Sequence, residues 1–105
     1  MTALSEGTQK EIVARIFRAI TPSKIFLFGS AANDEMGPDS DIDLLIITRD
    51  AENPRVQSVQ IRRQLRGLPF PFDVVVRSQE QFDRFKDVVG SIFYTALKHG
   101  KVLYG

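Results

Sequence analysis

The residues of this chain whose types and spacing could do chemistry are Gly29-Ser30, a gap of ten residues, and then Asp41-Ile42-Asp43. Two apolar runs frame them. Lys24-Ile-Phe-Leu-Phe28 leads into the Gly-Ser, and Leu44-Leu-Ile-Ile47 follows the second aspartate. A Gly-Ser turn at one strand end, facing two carboxylates at the start of the next strand, can hold a nucleoside triphosphate with its metal ions. A third carboxylate, Asp73, opens another apolar run, Phe72-Asp73-Val74-Val75-Val76. Nucleotidyl transfer is the chemistry that this set predicts.

Side chains alternate across a strand, so Asp41 and Asp43 share a face while Ile42 points the other way. Aspartate is disfavoured in strands, and this pair abuts a run that reads as buried on both faces. Carboxylates crowded within a few ångströms cannot all stay ionised unless a cation compensates them. Hard oxygen ligands select Mg²⁺ or Mn²⁺, which favour carboxylates plus substrate phosphates. In a two-metal site one ion activates the attacking oxygen and the other stabilises the leaving pyrophosphate. Ser30 and nearby backbone N–H groups are expected to hold terminal phosphates.

The plainer alternative is a solvated acidic turn of Asp39, Asp41 and Asp43 at a strand start. The matched Gly-Ser and the third aspartate favour a site instead. A calcium loop fails, because its required glycine position holds Leu44 and its closing glutamate position holds Asp50. The chain has neither a P-loop nor a dinucleotide fingerprint, and Gly-Ser-Ala is not a nucleophile elbow.

The elements that must position these residues follow from periodicity. A helix is predicted over 5–20, with Ile12, Val13, Ile16, Phe17 and Ile20 on one stripe. Thr21-Pro22-Ser23 ends it. Residues 25–28 read as a buried strand and 31–40, rich in Asn, Asp, Gly and Pro, as a loop. A second strand is predicted over 42–48. Asn53-Pro54 reads as a cap with proline at the first helical position, opening a helix to about residue 66. Residues 72–77 form the third strand, and Ser78 with Gln81 has capping-box spacing. A stripe of Phe82, Phe85, Val89, Ile92, Phe93, Ala96 and Leu97 then runs towards Gly100, split at Gly90, and Val102-Leu103-Tyr104 reads as a short last strand.

These elements predict an α/β (α+β) domain, one unit over 1–105, with a small mixed sheet of three to four strands flanked by helices. The loop between the first two strands favours an antiparallel pair, and the helix between the next two favours a parallel pair. That topology is expected to bring Ser30, Asp41, Asp43 and Asp73 to one sheet edge.

Composition narrows the class. The 105 residues suffice for one core, and 43% hydrophobic with 26% charged residues is the balance of a soluble globular chain. A formal net charge of +1 gives no global electrostatic case for nucleic acid or an anionic membrane. Zero cysteines exclude disulfides and thiolate metal sites. With no membrane-length apolar run and no signal pattern, the expected location is the cytoplasm.

Gly29-Ser30, ten residues, Asp41-Ile42-Asp43-Leu44 and the later Asp73 resemble the minimal nucleotidyltransferase family of the polymerase-β-like superfamily. That family includes the antitoxin partners of HEPN toxins. Leu-Phe-Gly-Ser, Asp-Ser-Asp-Ile-Asp-Leu and the closing Gly100-Lys-Val-Leu-Tyr104 are phrases similar to the family's own. The resemblance implies that Asp41 and Asp43 bind two Mg²⁺ ions with the triphosphate. It implies that Asp73 contacts one ion and helps deprotonate an acceptor hydroxyl, and that Gly29 and Ser30 bind the nucleotide phosphates. A nucleoside monophosphate, AMP from ATP, then passes to that hydroxyl. The implied acceptor is a partner protein such as a HEPN-type toxin, with partner or homo-oligomer completing the acceptor site.

One departure bears on activity. Where the family commonly has a basic stretch after Gly-Ser, this chain has Ala31-Ala-Asn33-Asp-Glu35. Loss of an arginine fork should weaken triphosphate binding, and Lys24, Arg77 or a partner's basic residue could substitute. The competing expectation is a weakly active or inactive binding module that neutralises its partner by contact alone. His99 reads as favourable to a helix dipole, and Arg62, Arg63 and Arg66 as a solvated helix face. Phe82, Phe85 and Phe93 would mark a partner face only if exposed together.

Overall fold

The computed structural model describes residues 4–29 and 41–105, so Ser30 and the expected loop over 31–40 lie outside the described residues. Helix α1 (Glu6–Ala19) starts where the Ser5 hydroxyl accepts a hydrogen bond from the Thr8 backbone N–H. Strands β1 (Lys24–Phe28) and β2 (Ile42–Thr48) follow. Asn53 caps α2 (Pro54–Gln64), with Pro54 at the position where a missing N–H costs nothing. Helix α2 stops short of the expected residue 66, and Gly67 turns the chain at φ +97°.

Strand β3 (Phe72–Ser78) passes directly into α3 (Gln79–Phe85) through the expected capping box. Gly90, at φ +93°, separates α3 from α4 (Ile92–His99). A short β4 (Lys101–Tyr104) closes the order. Gly100 is extended rather than left-handed, and the reason for glycine there is space. A Cβ would sit 2.5 Å from the Ala96 carbonyl oxygen and 2.8 Å from that of Leu27.

The four strands lie in the order β3-β2-β1-β4. β1 pairs antiparallel with β2 and β4, while β2 pairs parallel with β3. Mixed directions follow from the connections, since only a crossover helix can return the chain for a parallel neighbour. Helices cover both faces. Ile12 and Ile16 of α1, Ile61 of α2 and Leu65 at its C-terminal cap pack on Ile42, Leu44, Ile46, Val74 and Val76. Phe82, Phe93 and Ala96 pack on Phe26, Leu45 and Ile47 from the other side.

β2 is therefore buried on both faces, as its unbroken apolar run predicts. Phe82 and Phe93 belong to the second core and only Phe85 is exposed, so these rings do not form the partner face considered from sequence. Val89 departs from its expected stripe position and is 77% exposed, because α3 ends at Phe85 and the helical period does not reach it. Among the described residues no helix is long and apolar enough to cross a membrane.

Candidate functional site

Asp43 is held in the centre of a row that crosses three strands. The antiparallel register sets Phe28 of β1 opposite Asp43, and the parallel register sets Asp73 of β3 beside it. Neighbouring strands run about 4.8 Å apart, so the two aspartates occupy adjacent positions on one sheet face. That face is the one α3 and α4 cover further along, where Leu45 and Ile47 continue the Asp43 side of β2. A hydrogen bond of 2.8 Å from the Ile42 N–H to the Pro71 carbonyl pins the start of β2 to the entry of β3. The carboxylate pairing is thus fixed by backbone, not by side-chain contact.

Gly29 follows Phe28 and adopts φ +75°, a conformation that L side chains rarely take. A Cβ on this residue would collide with Oδ2 of Asp43 and lie 3.4 Å from its Cγ. Beyond the phosphate-binding role expected for it, Gly29 therefore also makes room for the Asp43 carboxyl. The pairing of Phe28 with Asp43, which puts residue 29 at the same edge, is set by backbone register and leaves no local signal in the sequence.

Burial pushes the Asp43 carboxyl above its ordinary value of 3.8, and the neighbouring charges of Asp73 and then Asp41 push it the same way. Asp41 and Asp73 are exposed, whereas Asp43 is half-buried. The two ion pairs among the described residues, Glu11–Arg15 and Glu80–Arg84, lie elsewhere. A half-buried carboxylate flanked by two others is a set of hard oxygen donors short of positive charge, which suits a divalent cation. Among the described residues, however, no three acidic, histidine or cysteine groups are gathered closely enough to hold an ion as they stand. Asp43 and Asp73 are brought together, Asp41 acts on Asp43 through its charge, and Ser30 is outside the described residues.

The substitutes considered for the missing arginine are at the wrong end of the sheet. Lys24 pairs with Ile47 and Arg77 sits beside the same residue, four positions along from Asp43. Four strand residues span roughly 13 Å, beyond direct reach. Lys24 instead donates to the Gly105 carbonyl at 3.1 Å and lies over the Phe82 ring. Arg77 donates to the Val76 carbonyl at 2.8 Å. His99 lies in the last turn of α4, and Arg62, Arg63 and Arg66 are exposed, as expected.

The family model of the nucleotidyltransferase domain matches residues 7–99, which takes in the whole carboxylate row. The chain belongs to that family. As a nucleotidyltransferase domain it also has structural likenesses. A toxin–antitoxin crystal structure with AMP-PNP superposes with TM-score 0.70 at 21% identity, over 92% of this chain and 73% of that one. A protein from Sulfolobus solfataricus assigned as a nucleotidyltransferase superposes with TM-score 0.55 at 25% identity, over 76% of this chain and 73% of that one. No curated protein matches the chain. The nucleotidyltransferase fold expected from sequence is the one observed, a mixed four-stranded sheet with helices on both faces.

Proposed function

We propose that this nucleotidyltransferase domain moves AMP from ATP to a hydroxyl on a partner protein, as an antitoxin acting on a HEPN-type toxin in the cytoplasm. The observation that carries the reading is the Asp43–Asp73 pair, in register on adjacent strands with the Gly29 backbone against the Asp43 carboxyl. The toxin–antitoxin neighbour with AMP-PNP supports an adenine nucleotide and a toxin as partner.

Bound Mg²⁺, two ions in this reading, would offset the carboxylates and the triphosphate and polarise the reacting phosphate. Asp41 and Asp43 would hold it, with Asp73 as a further oxygen ligand. Asp73, the more exposed of the paired carboxylates, would also take the proton from the acceptor hydroxyl. That oxygen bonds to the α-phosphorus as the bond to pyrophosphate breaks. The positive-φ turn at Gly29 leads into Ser30, and both would bind phosphate oxygens. Positioning and charge stabilisation would supply most of the acceleration.

The test is transfer of label from α-³²P-ATP with Mg²⁺ into the protein's source lysate, with Asp43→Asn as control. A labelled protein band formed only by the unaltered chain supports the proposal. Label in small molecules alone would move the acceptor to a metabolite. Absence of any label from a folded protein would favour the second reading, a binding module that acts by contact. The distance of Lys24 and Arg77 from the carboxylates is the observation on that side.

A further inference from the structure

The two edges of the sheet are built differently. β4, at one edge, has four residues, and its pairing with β1 is broken by a register shift between Ile25 and Phe26. Short, irregular edges resist pairing with another chain. β3, at the other edge, has seven residues, Phe-Asp-Val-Val-Val-Arg-Ser, and holds register with β2 from Phe72 to Ser78. It contains no proline, glycine or bulge. Along its outer side a cleft of about 460 Å³ separates Val74–Arg77 from Asn53, Pro54, Arg55 and Ser58 of the α2 entry. This stretch of strand edge is therefore accessible to another chain.

The charges on β3 then select the chain that fits. Asp73, Val75 and Arg77 alternate onto one face. Asp73 and Arg77 are roughly 13 Å apart along the strand, too far to pair with each other. Neither makes an ion pair among the described residues. Arg77 is held at the strand by its bond to the Val76 carbonyl.

We propose that two copies of this chain pair antiparallel along β3, with the two-fold axis at Val75. That register sets Asp73 opposite Arg77 of the second copy, and Arg77 opposite the second copy's Asp73. Val75 meets Val75, and Val74 meets Val76. An isologous strand pair requires such self-complementarity, and opposite charges directly across an antiparallel pair attract. Slipping by two residues leaves both charges unmatched. Slipping by four sets Asp73 against Asp73 or Arg77 against Arg77. A slip of one turns the faces over. Only one register satisfies the charges.

The dimer joins two four-stranded sheets into one of eight. It also carries the second copy's Arg77 to Asp73, at the carboxylate row, which that arginine cannot reach within its own chain. This consequence rests on the proposed transfer reading, because there the guanidinium would lie beside the phosphates and the acceptor. The pairing itself does not depend on catalysis.

The test is therefore the oligomeric state, by sedimentation equilibrium at roughly 0.1 mM chain, above the Kd of an ordinary specific interface. Unaltered protein should sediment as a dimer. Arg77→Asp should shift it to monomer, and Asp73→Arg with Arg77→Asp together should restore the dimer. Monomeric unaltered protein overturns the proposal. So does a dimer indifferent to Arg77→Asp, or one that the double exchange fails to restore while circular dichroism shows a folded chain. Should the exchanges unfold the protein, Val75→Cys decides. The chain has no cysteine, so this thiol has only its two-fold mate. Cα atoms directly opposite in an antiparallel pair lie about 4.5–5.5 Å apart, within disulfide reach. Oxidation to a linked dimer supports the interface, and failure to link overturns it.

Discussion

Gly29 lies against Asp43 so closely that a methyl group on the glycine would collide with the carboxylate's Oδ2. The contact links the end of β1 to the start of β2, and it makes the glycine a condition for the aspartate's placement. Steric space and the φ of +75° both demand glycine here.

Gly29→Ala should lose label transfer and also lower stability. The left-handed conformation costs an alanine about 1–2 kcal/mol, and the displaced carboxylate adds to it. Urea denaturation and the transfer assay together check this. A variant of full activity would show that Asp43 does not need its observed position.

Asp43→Asn should stabilise the chain at neutral pH. The folded state raises the Asp43 pKa, so between 3.8 and that raised value the folded form keeps a proton that the unfolded form has lost. The group's contribution to stability is therefore whole below 3.8 and is lost as pH rises through the folded value. Removing the charge removes that loss. Solvent screening of a half-exposed group keeps the gain to about 0.5 kcal/mol, or about 2–4 °C in Tm. The gain should vanish below 3.8. Melting curves of both proteins across the acid range measure it.

Mg²⁺ with a non-hydrolysable ATP analogue should raise the Tm of the unaltered chain and leave Asp43→Asn little changed. A ligand bound only by the folded state stabilises by about 2.7 kcal/mol at a hundred times its Kd. An equal shift in both proteins would place the nucleotide elsewhere.

Lys24→Ala should leave transfer within about twofold of the unaltered rate, because distant sites act independently. Its removal takes away the contact over Phe82 and a hydrogen bond to Gly105. A stability loss of about 0.5–1 kcal/mol is expected in denaturant titration.

Gly100→Ala should destabilise by about 1–3 kcal/mol through overpacking. Its Cβ would press on the carbonyls of Ala96 and Leu27, forcing α4 from β1. A lowered denaturation midpoint with an unchanged slope would match this.

Local information determined the elements. The stripe through Ile12 and Ile16, the cap at Asn53-Pro54, the capping box of Ser78 and Gln81 and the break at Gly90 all depend on neighbours a few residues away. Both strand directions were legible too, because connection length constrains them. So were the three aspartates, since acids at the mouths of apolar strands are conspicuous.

Register was not legible, because it comes from backbone pairing between segments far apart in sequence. Only the tertiary structure decided that Asp43 lies between Phe28 and Asp73, and that Gly29 backs onto it. It also decided that Lys24 and Arg77 both flank Ile47, out of reach of the carboxylates. Charge and residue type are properties of the chain, whereas the reach of a side chain depends on where the sheet places it. β3 combines both kinds of information. Its composition marks a strand, but its place at the sheet edge, with Asp73 and Arg77 on one face, makes it self-complementary.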